Sequence, residues 1–278
     1  MKLTRMICVA LLAVSLTSSL ASSIIAQQFQ PDCEPSFPDV TGLSIDSSCP
    51  IHGDATDAAH QAQNRAKNSF CAVGPAADPD SPIRLTISIF DALQRRVEQL
   101  DIPFGDSDHL PPDRSLLRNL ANNPDGIPVG EGSYVMYVGY VMHAKTAGKE
   151  SVNCHKSTVI NNDTHIHLGL SGIGNLCNSV TAEIIPHFRP LAYRKFHYKE
   201  YVEQLKTRPV RIIGHLFFDG SHAPCVNGIP GQGDPARRSN WEIHPVYYID
   251  VCRNKSLSSC RADDDTKWIP FEEWIEDQ

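Results

Sequence analysis

The chain has 278 residues, 41% of them hydrophobic and 21% charged, with a formal net charge of −7. That length and apolar content suffice for a real core in one large or two small domains. The acidic balance excludes a protein whose whole surface holds nucleic acid, since such affinity comes mostly from neutralised phosphates, and leaves only a local basic patch for that role.

Met1-Lys2-Leu3-Thr4-Arg5 precedes an apolar run from Met6 to about Leu16 and a small-residue stretch ending at Ala26, the pattern of a secretory signal peptide over residues 1–26. The run is shorter than the roughly 20 apolar residues that span a bilayer, and no comparable run follows. The expectation is an exported protein, secreted or periplasmic, with no transmembrane segment. Cys8 lies in the signal, and the other eight cysteines (Cys33, Cys49, Cys71, Cys154, Cys177, Cys225, Cys252, Cys260) form an even set suited to as many as four disulfides. A thiolate zinc site would need close C-x-x-C pairs, and the sequence has none. Connectivity is open among about 105 arrangements, with local closures favoured: Cys33 or Cys71 with Cys49, Cys154 with Cys177, and Cys225 or Cys260 with Cys252.

Residues 27–53 hold four prolines and little periodicity, and no element is assigned there. Asp54 or Thr56 can cap a helix over 57–67 whose Ala58, Ala62 and Ala66 align at i, i+4, i+8 as a small-residue face. After a Pro- and Asp-rich loop over 75–82, Ile89, Leu93, Val97 and Leu100 recur at helical spacing opposite Gln94, Arg95, Arg96 and Glu98. A third short helix is expected over 114–120, closed by Asn122-Asn123-Pro124-Asp125-Gly126.

The second half switches to period two. Strands are read over 134–142, 164–168, 179–185, 210–218 and 241–251, with a helix around 197–205 between the third and fourth. In the fourth strand Val210, Ile212, Leu216 and Phe218 share a face, and in the fifth so do Trp241, Ile243, Tyr247, Ile249 and Val251. Gly139 and Gly214 fall where a tightly curved barrel would bend. This order resembles an OB-type barrel over roughly residues 130–252, with a six-stranded sandwich as the alternative. The fold class expected is therefore α+β. A helical, loop-rich region (27–128) packs on a five-stranded antiparallel OB-like β-barrel (129–255), a C-terminal segment (256–278) docks its aromatics, and disulfides staple the whole.

Chemistry concentrates in three places. His165 and His167 point the same way on a strand, and if the following segment is extended it sets Glu183, His187 and Arg189 on one side, so that His165, His167, Glu183 and His187 form a candidate site for zinc or another divalent metal. The ordinary alternative is a pair of solvent-facing histidines. No H-E-x-x-H or G-x-S-x-G signature is present. His215, Asp219, Glu242 and His244 can share a face of the last two strands, read first as a buried hydrogen-bonded network, with a catalytic or metal role as the alternative. The stretch 187–211 interleaves basic and aromatic residues, and a Gly/Pro-rich loop over 225–240 carries Arg237-Arg238. Arg189, Arg194, Lys195, Tyr198, Arg237 and Arg238 are thus candidates for binding an oligonucleotide, a glycan or another anionic ligand. The aromatics equally suit a helix's core face. Asn162-Asp163-Thr164 resembles the Asp-Thr turn of staphylococcal-nuclease-like barrels, but that family's downstream Arg-Leu-x-x-Ile-Asp-x-Pro-Glu run is absent, so its catalytic assignment is not carried over. The leading expectation is a ligand-binding barrel; the rival is a divalent-metal hydrolase. A structural or interaction protein is the third class, and no particular protein partner is implied.

Overall fold

The computed structural model describes Ile45 and residues 48–68, 82–111, 113–231 and 236–278. The signal-peptide reading and Cys33 and Cys71 lie outside the described residues. Five long strands form a closed barrel: β1 (Tyr134–Thr146), β2 (Thr164–Gly169), β3 (Val180–Ile184), β4 (Val210–Phe218) and β5 (Trp241–Cys252), in the ring order β1-β2-β3-β5-β4 with β4 returning to β1. The expectation of an antiparallel barrel is corrected, because β3 and β5 run parallel, with Thr181 beside Glu242 and Ala182 beside Ile243. Parity requires this: a closed ring with an odd number of strands cannot alternate direction throughout, so at least one neighbouring pair must be parallel.

Gly139 marks where β1 changes partner. Residues Tyr134 to Gly139 pair with β4, and Tyr140 to Thr146 pair with β2. A Cβ at Gly139 would stand 2.8 Å from the Gly169 carbonyl oxygen, so only glycine fits this crossing. At Gly214 the β4–β5 register shifts, and a Cβ there would lie 2.2 Å from the Pro245 carbonyl oxygen. That irregularity corrects the reading of β5: Val246 joins the barrel interior in place of Tyr247, which packs outside with Tyr134, Ile185, Phe188 and Ile213.

Inside the barrel, alternate residues of each strand (Val135, Ile166, Ala182, Ile212 and Ile243 among them) form one apolar core. Helix α2 (Ile87–Gln99) closes it with Ile89, Phe90, Leu93 and Val97, while Leu100, expected on that face, is the C-cap residue and is exposed. The third helix shrinks to a single 3-10 turn over Arg114–Leu117, after which Arg118 is extended and Asn119 takes a φ of 52°. Between β3 and β4 the chain makes a 3-10 segment, Leu191–His197, and helix α3 (Lys199–Leu205). The C-terminal Trp268–Pro270 adds a short strand to β5, and helix α4 (Phe271–Glu276) buries Phe271 and Trp274.

Helix α1 (Ala58–Lys67), capped by the Asp57 side chain, lies on the outer face of the barrel. Its buried face is not the alanine stripe: Ala66 is buried but Ala58 is exposed, and the inward residues are Gln63, Asn64 and Lys67. They are held by hydrogen bonds because the surface beneath is polar. Gln63 accepts from Gly220 N and donates to Ser221, and Asn64 donates to the His52 carbonyl. Disulfides join Cys49 to Cys154, Cys177 to Cys225 and Cys252 to Cys260. Only the last matches the expected local closures; the other two link segments that the fold, not the sequence, brings together. The three disulfides among the described residues fit an oxidising compartment. Among the described residues no helix is long and apolar enough to cross a membrane.

Candidate metal centre

Strand alternation sends Ile166 and Leu168 into the core and so places Asp163, His165 and His167 on the outer face. On β3 the same rule turns Thr181 and Glu183 outward beneath Val180, Ala182 and Ile184, and on β5 it turns out Glu242 and His244. The parallel β3–β5 register then sets Glu183 beside His244. Antiparallel pairing of His165 with Glu183 brings β2 to the same point. An outer face normally meets water; here α1 and the turn around Glu150 cover it, and Asp163, His165, Glu183 and His244 are all buried.

Three ligand-type atoms converge. His244 Nε2 lies 3.0 Å from Glu183 Oε2 and 3.7 Å from Asp163 Oδ2. Ligand atoms bound about 2.0–2.2 Å from one ion stand roughly 3.0–3.6 Å apart; the His244–Glu183 separation falls in that range and the His244–Asp163 separation lies just above it. Both Asp163 oxygens, Glu183 Oε2 and His244 Nε2 are buried and have no hydrogen-bond partner; the 3.0 Å contact of His244 with Glu183 is an ion pair when the imidazole is protonated, and Asp163 Oδ2, at 3.7 Å, is beyond hydrogen-bond reach. His244 Nδ1 is 2.6 Å from the Lys67 carbonyl oxygen at the end of α1. A carbonyl only accepts, so Nδ1 carries the proton and Nε2 faces the carboxylates, the outer-sphere arrangement that orients metal-ligating imidazoles. The donors are one nitrogen and two carboxylates, a set suited to zinc, manganese or ferrous iron.

The charges are strongly coupled. Burial would raise the Glu183 carboxyl, but His165, His244 and Lys67 hold it well below the usual carboxylate range. Asp163 is likewise lowered against its burial, by His244. Burial would lower His244, and the facing Glu183 and Asp163 push it up to about 10.

The expected residues are distributed as follows. His165 and Glu183 meet, at 3.2 Å between Nε2 and Oε1. His167 stands one pleat along, with Nδ1 3.0 Å from Ser179 Oγ. The Ser179 hydroxyl donates to the Leu176 carbonyl, so it accepts from His167, and burial holds this imidazole neutral with a pKa of about 3. His187 lies in the turn that Pro186 starts after β3, because the segment does not stay extended. Asp163 and His244 were not placed in the metal set. The signal for Asp163 was its i, i+2 relation to His165; for His244 it required knowing which strands close the ring.

Among the six residues expected to bind ligand, Arg189 is buried and donates to the carbonyls of Val159, Ile160, Asn162 and Ile184. Arg237 is buried between Asp219 (2.8 Å) and Glu242 (3.1 Å). Arg238 pairs with Asp91. Arg194 and Lys195 lie on the 3-10 segment, with the Lys195 ammonium over the rings of exposed Tyr198 and of Tyr201. Phe188, Tyr193 and Phe196 are core residues.

His222 and Arg237 together hold Asp219 well below the usual range despite burial, and Arg237 also lies against Glu242, whose carboxyl is pushed well up by burial and by the Glu183 charge. Removing one member of such a buried set leaves charge uncompensated at a cost of about 3–5 kcal/mol. Arg237→Ala is expected to lose that much stability in urea unfolding of the disulfide-intact protein. A loss under about 1 kcal/mol would mean that water enters and screens Asp219.

No protein-family model, no curated protein and no solved structure matches this chain.

Proposed function

We propose that the chain is an exported, divalent-metal-dependent hydrolase built on an OB-like barrel. The OB-like reading is supported by the ring order and by the helical segment between β3 and β4. The observation that carries the metal reading is the convergence of one buried ligand-type atom each from Asp163, Glu183 and His244 within 4.8 Å of one another, with His244 aimed by the Lys67 carbonyl. Three protein ligands leave coordination positions for water and substrate, as hydrolytic sites require. A divalent ion held by Asp163, Glu183 and His244 would supply Lewis acidity, polarising a carbonyl or phosphoryl oxygen and lowering the pKa of water.

The chain's own groups do the rest. Lys67 caps the site, its carbonyl fixing His244 and its ammonium 3.0 Å from Glu150 Oε2. Burial beneath α1 excludes bulk water and strengthens every charge interaction at the centre.

The test is the metal content of disulfide-intact protein purified without chelator or histidine tag, followed by hydrolysis assays on phosphoester, carboxyester and peptide panels. Zinc, manganese or iron at no less than one equivalent is expected, with chelator-sensitive activity. His244→Ala should lose both while the far-UV spectrum stays native. A folded wild-type protein that takes up none of these ions when they are added would overturn the proposal.

A further inference from the structure

The Glu183 carboxylate faces two ways. Its Oε2 meets His244 Nε2 at 3.0 Å, with Asp163 Oδ2 3.7 Å from that nitrogen. Its Oε1 meets His165 Nε2 at 3.2 Å, with Glu150 Oε1 3.8 Å from that nitrogen. Each side therefore offers one imidazole and one further carboxylate around a shared one. His165 is buried, both of its ring nitrogens are without a hydrogen-bond partner, and its Nε2 faces Glu183 Oε1 with Glu150 Oε1 farther off. We infer that Glu183 bridges two divalent ions, the second held on its Oε1 side by His165 and Glu150.

Lys67 supports both halves. Its carbonyl orients His244, and its ammonium holds Glu150 Oε2, which leaves Oε1 directed toward His165. Glu150 is the one member of this set whose side chain keeps appreciable exposure, at 24%, so the second position is the one nearest solvent. The charge balance agrees. Asp163, Glu183 and Glu150 face the Lys67 ammonium, with the buried Arg237 guanidinium also within electrostatic reach of Glu183, so two divalent ions would more than compensate what negative charge is left and leave a positive centre for an anionic substrate.

Paired ions about 3.5–4 Å apart are the arrangement used for in-line displacement at phosphorus. The substrate class this implies is the phosphoester, a deepening that rests on the metal reading above. In that hydrolysis the oxygen of water bonds to phosphorus, the P–O bond to the alcohol breaks, and a proton from the water ends on the departing alkoxide.

The experiment is a titration of the chelator-stripped, disulfide-intact protein with Mn2+, read by equilibrium dialysis and by electron paramagnetic resonance. Wild type should bind two equivalents and give the spectrum of an exchange-coupled pair. His165→Ala and, as a variant less exposed to misfolding, Glu150→Gln should each bind one and give an uncoupled signal, with phosphoesterase activity reduced about 100-fold or more. One equivalent at saturation in wild type, or two in both variants, would overturn the bridged pair while leaving the single-ion centre standing. No binding at all would overturn both.

Discussion

Glu183→Gln is expected to abolish metal-linked stabilisation of this protein. The amide keeps the volume of the carboxylate but loses the charge that His165, His244 and Lys67 surround. Loss of an outer-sphere partner already lowers metal affinity about 10–100-fold, and an inner ligand placed between both imidazoles should exceed that. Linkage gives the size of the readout. An ion at 100 to 1,000 times its dissociation constant adds about 2.7–4.1 kcal/mol to the folded state. In a protein of this length that is an upward shift in Tm of roughly 5–15 °C. Wild type should show the shift on adding Zn2+ or Mn2+, and Glu183→Gln should show none at the same concentrations. Equal shifts in both would place the stabilising ion away from Glu183.

The sequence already contained the period-two alternation of β1 to β5, because strands with a buried and a covered face must repeat every second residue. It also flagged Gly139 and Gly214, the two positions where backbone comes too close for a side chain. Half of the candidate centre was legible for the same reason: His165 and Glu183 lie on strands whose facing could be read. The other half was not. Glu183 and His244 are 61 positions apart and meet only because β3 and β5 close the ring in parallel. Alternation tells which way a side chain points but not which strand lies beside it. His187 was misplaced by assuming that β3 runs through Pro186, and α1 was misread because its partner surface is polar, so hydrophobic periodicity carried no signal for its buried Gln63, Asn64 and Lys67. Arg189 and Arg237 look in sequence like surface cations; burial among carbonyls and carboxylates is visible only once the chain is folded.

Removing the Cys49–Cys154 disulfide should affect both stability and metal binding at the proposed centre. The bond joins positions 105 apart. On the chain-entropy account a loop of that size contributes about 4.7 kcal/mol, against about 2.5 kcal/mol for the short Cys252–Cys260 loop. More follows from its place than from its length. Cys49 leads into α1, which carries Lys67, and Cys154 closes the turn that carries Glu150. The bond thus anchors the two groups that cover the outer face, and with them the carbonyl that aims His244. In the double variant Cys49→Ser with Cys154→Ser, unfolding free energy should fall by about 2–5 kcal/mol, and affinity for Zn2+ should fall about 10–100-fold because an outer-sphere partner is no longer held. Cys252→Ser with Cys260→Ser, which staples the far end of β5, should lose less stability and leave Zn2+ affinity unchanged. Equal metal affinities in the two double variants would show that α1 keeps its seat through Gln63, Asn64 and Lys67 alone, and that the disulfide serves stability without tuning the centre.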